Sequence, residues 1–152
     1  MASRKHYSRL GRYALRKVYL KLTEMPHLFE IFCGTKSIGK VFEARGWTTT
    51  SVDIDPGFHP TLCCNVLDLT PDMLLQASGG QLPDAIWMSP VCTHYSLARS
   101  RAKLPRDMPS ADRLVAAALA LARHFACSYF MENPQTGYLK TRQVVAGILT
   151  RS

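Results

Sequence analysis

The sequence predicts an α/β fold built on a mostly parallel, Rossmann-like sheet. Three observations predict it. Short apolar or β-branched runs recur along the chain at "HLFEIFC", "TTTSVDI", "TLCCNV", "DAIWMS" and "SYFME". Most are separated by stretches with helical caps or helical apolar spacing, and glycine or proline marks the joins. Strands alternating with helices imply right-handed crossovers, and so parallel strands with helices on both faces.

Leu10, Ala14, Val18 and Leu22 recur at helical spacing, so residues 8–22 read as a helix that Pro26 ends. The first strand, 27–33, leads into "GTKSIGKVFEARG", a glycine turn and then a helix. That helix has Ile38, Val41 and Phe42 on one face and stops at Gly46. Residues 48–54 are β-branched and strand-like, and 61–66 form a third strand. "TPDMLLQAS" opens a helix with a Thr70 cap and Pro71 at the first helical position. A fourth strand covers 84–89, a Ser-capped Ala- and Leu-rich helix 110–126, a fifth strand 128–132 and a last helix 140–149.

At 152 residues the chain suits one domain, long enough to bury a core without staples. It divides into a basic N-terminal arm, 1–25, and an α/β domain, 26–152. No apolar run approaches the ~18–20 residues of a membrane span. The N-terminus lacks the apolar core of a secretory signal, although its arginines also fit a transit peptide. Five cysteines without a C-x-x-C argue against a disulfide framework and for a reducing cytoplasm. They lack zinc-ligand spacing with His94 or His124.

The net charge of +8 is uneven: Arg4, Lys5, Arg9, Arg12, Arg16, Lys17 and Lys21 precede the first acid, Glu24. A basic arm on a nearly neutral domain suits a phosphate backbone; the plainer reading is a solvated helix face.

In open parallel sheets, ligands bind beyond the carboxyl ends of the strands. Those ends are Phe32–Gly34, Asp53–Asp55, Asn65–Asp68, Ser89–Cys92 and Glu132–Pro134. Every one carries polar or conformationally special residues. Gly34 and Gly39 let the backbone approach a ligand closely. Asp55 stands 21 residues beyond Gly34, where an acid commonly accepts both ribose hydroxyls. The loop is a poor pyrophosphate cradle, so a nucleoside such as S-adenosylmethionine fits better. Asp68 suits an adenine amino group. Singly, Gly34 reads as a tight turn, Asp55 as a turn acid and Asp68 as a neighbour of a helix cap.

Cys92 follows a strand in a turn made by Pro90, with His94, Tyr95 and Ser96 behind it. A thiol there is a nucleophile if its pKa is lowered, or simply a buried small residue. Glu132, before Asn133 and Pro134, is a general acid or a turn former.

These residues resemble a family. "FEIFCGTKSIGKVFEARGW" resembles the first motif of DNA cytosine-5 methyltransferases, D-L-F-x-G-x-G-G. "VDID" is similar to their acidic second motif, and "NVLDL" sits where their adenine-binding Asp lies. "DAIWMSPVCTHYS" resembles the nucleophile motif G-P-P-C-Q-x-F-S, and "YFMENP" the E-N-V motif. The five occur in order over about residues 27–140. Ser89, Val91 and Thr93 depart from the nucleophile motif's Gly, Pro and Gln. Lys36 and Ser37 stand where the family is Gly-rich.

The resemblance implies a methyltransferase sheet, incomplete at its C-terminal edge and without the family's target-recognition domain: a truncated or minimal, phage or viral form. It implies methyl transfer from S-adenosylmethionine to cytosine C5 in DNA. Cys92 would be the nucleophile and Glu132 the group at N3, with Asn133 positioning the loop. Phe32, Gly34, Asp53, Asp55, Asp68 and Pro90 would bind the cofactor. Arg9, Arg12, Arg16, Lys17 and Ser96 would contact nucleic acid. An open edge invites a second subunit or homodimer. The expected place is the cytoplasm of a bacterial or phage-infected host, or a eukaryotic nucleus. The competing readings are a non-catalytic nucleic-acid-binding or accessory relative and an enzyme methylating an exocyclic amine.

Overall fold

The computed structural model describes residues 25–97, 105–134 and 136–146. The helix expected at 8–22, with Arg9, Arg12, Arg16 and Lys17, lies outside them.

Among the described residues five strands form one parallel sheet: β1 (His27–Ile31), β2 (Thr48–Asp53), β3 (Leu62–Cys63), β4 (Ala85–Met88) and β5 (Ser128–Met131). Their order is β3-β2-β1-β4-β5, the Rossmann-like arrangement. The α-helices of the described residues lie in the connections: α1 (Ser37–Glu43), α2 (Pro71–Ala77) and α3 (Met108–Phe125). The expected five-stranded α/β fold is the observed one. The third strand is shorter than expected, because only Leu62 and Cys63 pair with β2. No helix of the described residues is long and apolar enough to cross a membrane.

β1 is central and buried along its whole length. Its side chains alternate between two faces. His27, Phe29 and Ile31 point one way, and the Phe29 ring meets Phe125 of α3 edge-on at 5.3 Å. Phe29, Ile31, Val52, Ile86 and Met88 form the core on this side with Leu74 of α2 and Ala111, Val115 and Leu119 of α3. On the other face α1 lies over β1. There Glu30, a carboxylate that is 2% exposed, accepts the Gly39 N–H at 3.1 Å and also bonds the Ile38 N–H. Further along the same face Trp87 stacks on Phe130, which stays 52% exposed.

Glu30 explains how α1 starts. Its N-cap, Lys36, has a left-handed backbone and makes no side-chain cap bond. Helix-start N–H groups need acceptors, and the buried acid of the neighbouring strand supplies one. Gly39 is therefore a correction: it stands inside α1, where a Cβ would come within 2.5 Å of Glu30 Oε2. Its missing side chain makes room for this internal carboxylate and not for a ligand. Val41, expected on the buried face, is 47% exposed, while Ile38 and Phe42 are half-buried.

α2 starts as expected: Thr70 Oγ1 accepts the Met73 N–H at 3.3 Å, with Pro71 next. α3 starts earlier than expected. Asp107, not Ser110, is the cap, its Oδ1 accepting the Ser110 N–H at 3.0 Å. Pro109 tolerates the first turn because it has no N–H to satisfy.

The helix expected at 140–149 is instead two short 3-10 turns, Leu139–Thr141 and Gln143–Val145, with 147–149 outside the described residues. Arg142 between them is extended, at φ −82° and ψ 142°. That interrupts any continuous helix, and the Arg142 side chain pairs with Asp112 of α3.

Candidate active site

The strand order reverses at β1, which pairs with β2 on one side and β4 on the other. The loops at the carboxyl ends of β1 and β4 flank this reversal, the usual ligand crevice of such sheets.

The loop after β1 is tightly wound. Phe32, Gly34 and Lys36 have φ of 60°, 47° and 56°. A bulky residue such as Phe32 rarely adopts positive φ. Two bonds from β2 hold the loop there: Cys33 N–H to the Val52 carbonyl at 3.0 Å and Gly34 N–H to Asp53 Oδ2 at 2.8 Å. A Cβ on Gly34 would meet nothing within 4 Å, so its surface faces open space. Cys33 is buried, and burial, reinforced by the charge of Asp53, pushes its thiol up to about 11. It is therefore a neutral core thiol.

Asp53 closes β2. Its Oδ2 holds Gly34, and its Oδ1 accepts the Asp55 N–H at 3.0 Å. A carboxylate has about four acceptor sites, so two remain for hydroxyls. Asp55 is placed differently. It is exposed, and its Oδ1 accepts the Gly57 N–H at 2.8 Å, capping the short turn Pro56–Phe58. The spacing from Gly34 pointed to Asp55, but the group bonded to the glycine loop is Asp53. Asp68 is exposed after β3, close enough to Cys64 that its charge helps raise that thiol, behind burial as the larger cause.

β4 continues past its last paired residue, with Ser89 N–H bonding the Ile31 carbonyl at 3.1 Å. Pro90 is buried. Cys92 follows, half-buried, and its carbonyl accepts the N–H groups of Tyr95 at 2.9 Å and Ser96 at 2.8 Å. These bonds fold residues 92–96 into a compact turn. Ser96 is thus built into that turn by its backbone.

β5 ends beside it. Glu132 N–H bonds the Met88 carbonyl at 2.9 Å, and Asn133 Nδ2 donates to the Pro90 carbonyl at 3.2 Å. Strand pairing therefore puts Glu132 and Asn133 next to the loop that carries Cys92. Glu132 is exposed. Asn133 Oδ1 is buried and has no hydrogen-bond partner among the described residues.

No known family model matches the chain, and a search among curated proteins finds no relative.

Asp53 can accept ribose hydroxyls, Gly34 leaves open space, and exposed apolar Ile54 and Leu67 follow β2 and β3 at the same rim. Among the described residues no group of three or more His, Cys, Asp and Glu side chains could hold a metal ion. The sheet thus brings two groups of sequence-expected residues to one end: Phe32, Gly34, Asp53, Asp55 and Asp68, and Pro90, Cys92, Glu132 and Asn133.

Sequence reasoning passed over Glu30, whose signal was a lone acid inside the apolar run "HLFEIFC". It named Tyr95 only as a neighbour of Cys92 and passed over Asp112 and Arg142. The Tyr95 hydroxyl donates to Asp112 Oδ1 at 2.8 Å, and Asp112 pairs with Arg142. With Asp112 and Arg142 30 positions apart, no local pattern announces that pair.

Proposed function

We propose that this chain is a cytosine-5 methyltransferase acting on DNA, with Cys92 as its nucleophile and S-adenosylmethionine as its methyl donor. The observation that carries this reading is the junction of β4 and β5. There the Asn133 amide bonds the Pro90 carbonyl, with Cys92 two residues beyond Pro90 and Glu132 adjacent to Asn133. The Rossmann-like strand order and the resemblance of five ordered motifs support it.

In this reading Asp53 holds the ribose, with Asp55 shaping the turn beside it, Asp68 holds the adenine, and Phe32, Gly34 and Pro90 line the cofactor. When bound, S-adenosylmethionine supplies an electrophilic methyl group. Cytosine C5 is by itself a poor nucleophile. Cys92 thiolate adds to C6, and Glu132 donates a proton or hydrogen bond to N3, so the ring becomes an enamine at C5. Once C5 has taken the methyl group and the donor has left as the neutral thioether, a base removes the C5 proton, the C6–S bond breaks, the thiolate leaves and N3 returns any proton it took to Glu132. The target base must first leave the stack or be single-stranded. Glu132 is exposed, where an incoming base can reach it. Asn133 holds the Cys92 loop. Arg9, Arg12, Arg16 and Lys17 bind phosphates, which position the nucleic acid without reading its sequence, and Ser96 adds a contact beside the thiol. A second subunit or second copy covers the β5 edge.

One observation favours an alternative, a non-catalytic accessory relative: Glu132 stands in water and not in an apolar pocket.

The test is transfer of labelled methyl from S-adenosylmethionine to mixed-sequence DNA, single- and double-stranded, by the wild type and Cys92→Ala. The expected result is label in 5-methylcytosine that disappears in the variant. Label that survives would point to amine methylation. No label with either protein would favour the accessory reading.

A further inference from the structure

The turn that carries Cys92 is held by residues distant from it in the sequence. Tyr95, three residues after Cys92, has no exposed surface. Its hydroxyl donates to Asp112 Oδ1 at 2.8 Å. Asp112 belongs to α3 and accepts two groups of Arg142: Nε to Oδ2 at 3.0 Å and Nη2 to Oδ2 at 2.5 Å. A second set of bonds holds the backbone of the same turn. Arg106 Nη1 donates to the carbonyls of His94 at 3.0 Å and Ser96 at 2.7 Å, and its guanidinium lies 5.2 Å from the centre of the Tyr138 ring. Tyr138 N–H bonds the Tyr95 carbonyl at 2.9 Å.

Core anchoring alone does not require this chemistry. A phenylalanine at 95 would fill the same space, and an unpaired Asp112 would be solvated more cheaply at the surface. A tyrosine hydroxyl bonded to a carboxylate fixes a ring in direction as well as depth, because a charge-assisted bond is short and directional. The ring's backbone sits within the hydrogen-bonded turn that begins at the Cys92 carbonyl. The ring and the thiol are thus carried by one turn.

We infer that Tyr95, Asp112 and Arg142 are positioning residues for Cys92: the segment after β5 sets where the thiol stands. For its catalytic consequence this rests on the methyltransferase reading. Its structural content is readable without it.

The experiment uses the full chain as wild type, Tyr95→Phe, Asp112→Asn and Arg142→Lys. Each protein is alkylated with iodoacetamide under native conditions, and the rate at Cys92 is measured by peptide mass spectrometry relative to exposed Cys63. Thermal unfolding checks that each variant is folded. Tyr95→Phe removes one hydroxyl and keeps the ring, so it remains informative if Asp112→Asn does not fold. The expected result is a Cys92-to-Cys63 rate ratio raised at least about threefold in the folded variants. Where wild-type methyl transfer is measurable, kcat should fall on the order of tenfold with KM for DNA nearly unchanged, as for a misplaced reacting group. A ratio equal to wild type in folded variants would overturn the inference. So would an equal rise at Cys33, Cys92 and Cys127, which marks general loosening. If wild type transfers no methyl group, the proposed function fails while the ratio still decides the positioning role.

Discussion

Asn133 reaches across from the end of β5 and donates its Nδ2 to the Pro90 carbonyl at 3.2 Å. This bond joins the two strand ends on which the proposed chemistry depends. Asn133→Ala should destabilise the protein by about 1 kcal/mol, the net worth of one such bond. Asn133→Asp should cost more, because a carboxylate oxygen would then face the Pro90 carbonyl oxygen. Urea unfolding of the three proteins checks the order, with the midpoint falling from wild type through Ala to Asp.

Glu30 and Gly39 form a second linked pair, in which the acid occupies the space a side chain at 39 would need. Gly39→Ala should destabilise by about 1–3 kcal/mol, the range for overpacking, even though alanine favours helix. Glu30→Ala empties that space, so the double variant should lose less than the sum of the two singles. A double-mutant cycle by urea unfolding measures the coupling. Strict additivity would mean that Glu30 does not constrain position 39.

Asp53 and Asp55 make opposite predictions for cofactor binding. Asp53 accepts the Gly34 and Asp55 N–H groups. Asp53→Asn would turn an amide donor toward one of those donors while losing the charge. Affinity for S-adenosylmethionine should fall by about 10- to 100-fold, as for loss of a bond to a charged group. Asp55→Ala, which removes a turn cap at the surface, should change affinity by less than about threefold on the same scale. Calorimetric titration separates the two. The reverse order would return the ribose to Asp55.

The acid limb of stability has identifiable sources. His27 is buried, its Nε2 2.9 Å from Thr50 Oγ1, and burial lowers its pKa below the ordinary 6.5. The unfolded chain then binds more protons than the folded one, so His27 contributes stability above pH 6.5 that is lost as pH falls through the lowered value. Asp112, lowered chiefly by its bond to Arg142, behaves likewise below 3.8. Glu30 runs the other way. Burial raises it above 4.5, so its contribution is complete below that pH and is lost as pH rises through the raised value. His27→Gln should flatten the fall in stability just below pH 6.5, and Glu30→Gln should gain on wild type as pH rises above 4.5. Urea midpoints from pH 3 to 8 check both slopes.

Much of the frame could be read from the chain because its signals are local. Thr70 and Pro71 start a helix within two residues, and the apolar runs around Phe29, Val52 and Ile86 mark strands by composition alone. The turn at Gly34 and the thiol after Pro90 fall at strand ends for the same reason. The start of α3 was misplaced because Ser110 and Asp107 are both good caps, and only the geometry of the first turn chooses Asp107.

The sequence by itself determined the order of strands and helices, the parallel sheet and the end of it at which polar residues gather. Periodicity, caps and turn residues act over a few positions and need no distant partner. Only the tertiary structure decided which buried polar groups meet: Glu30 with Gly39, Tyr95 with Asp112, and Asp112 with Arg142. It also decided that Asp53 and not Asp55 holds the glycine loop. A polar group taken out of water must bond to whatever the packing brings within about 3 Å. Which group that is depends on how distant segments cross, information that no short window of the chain contains.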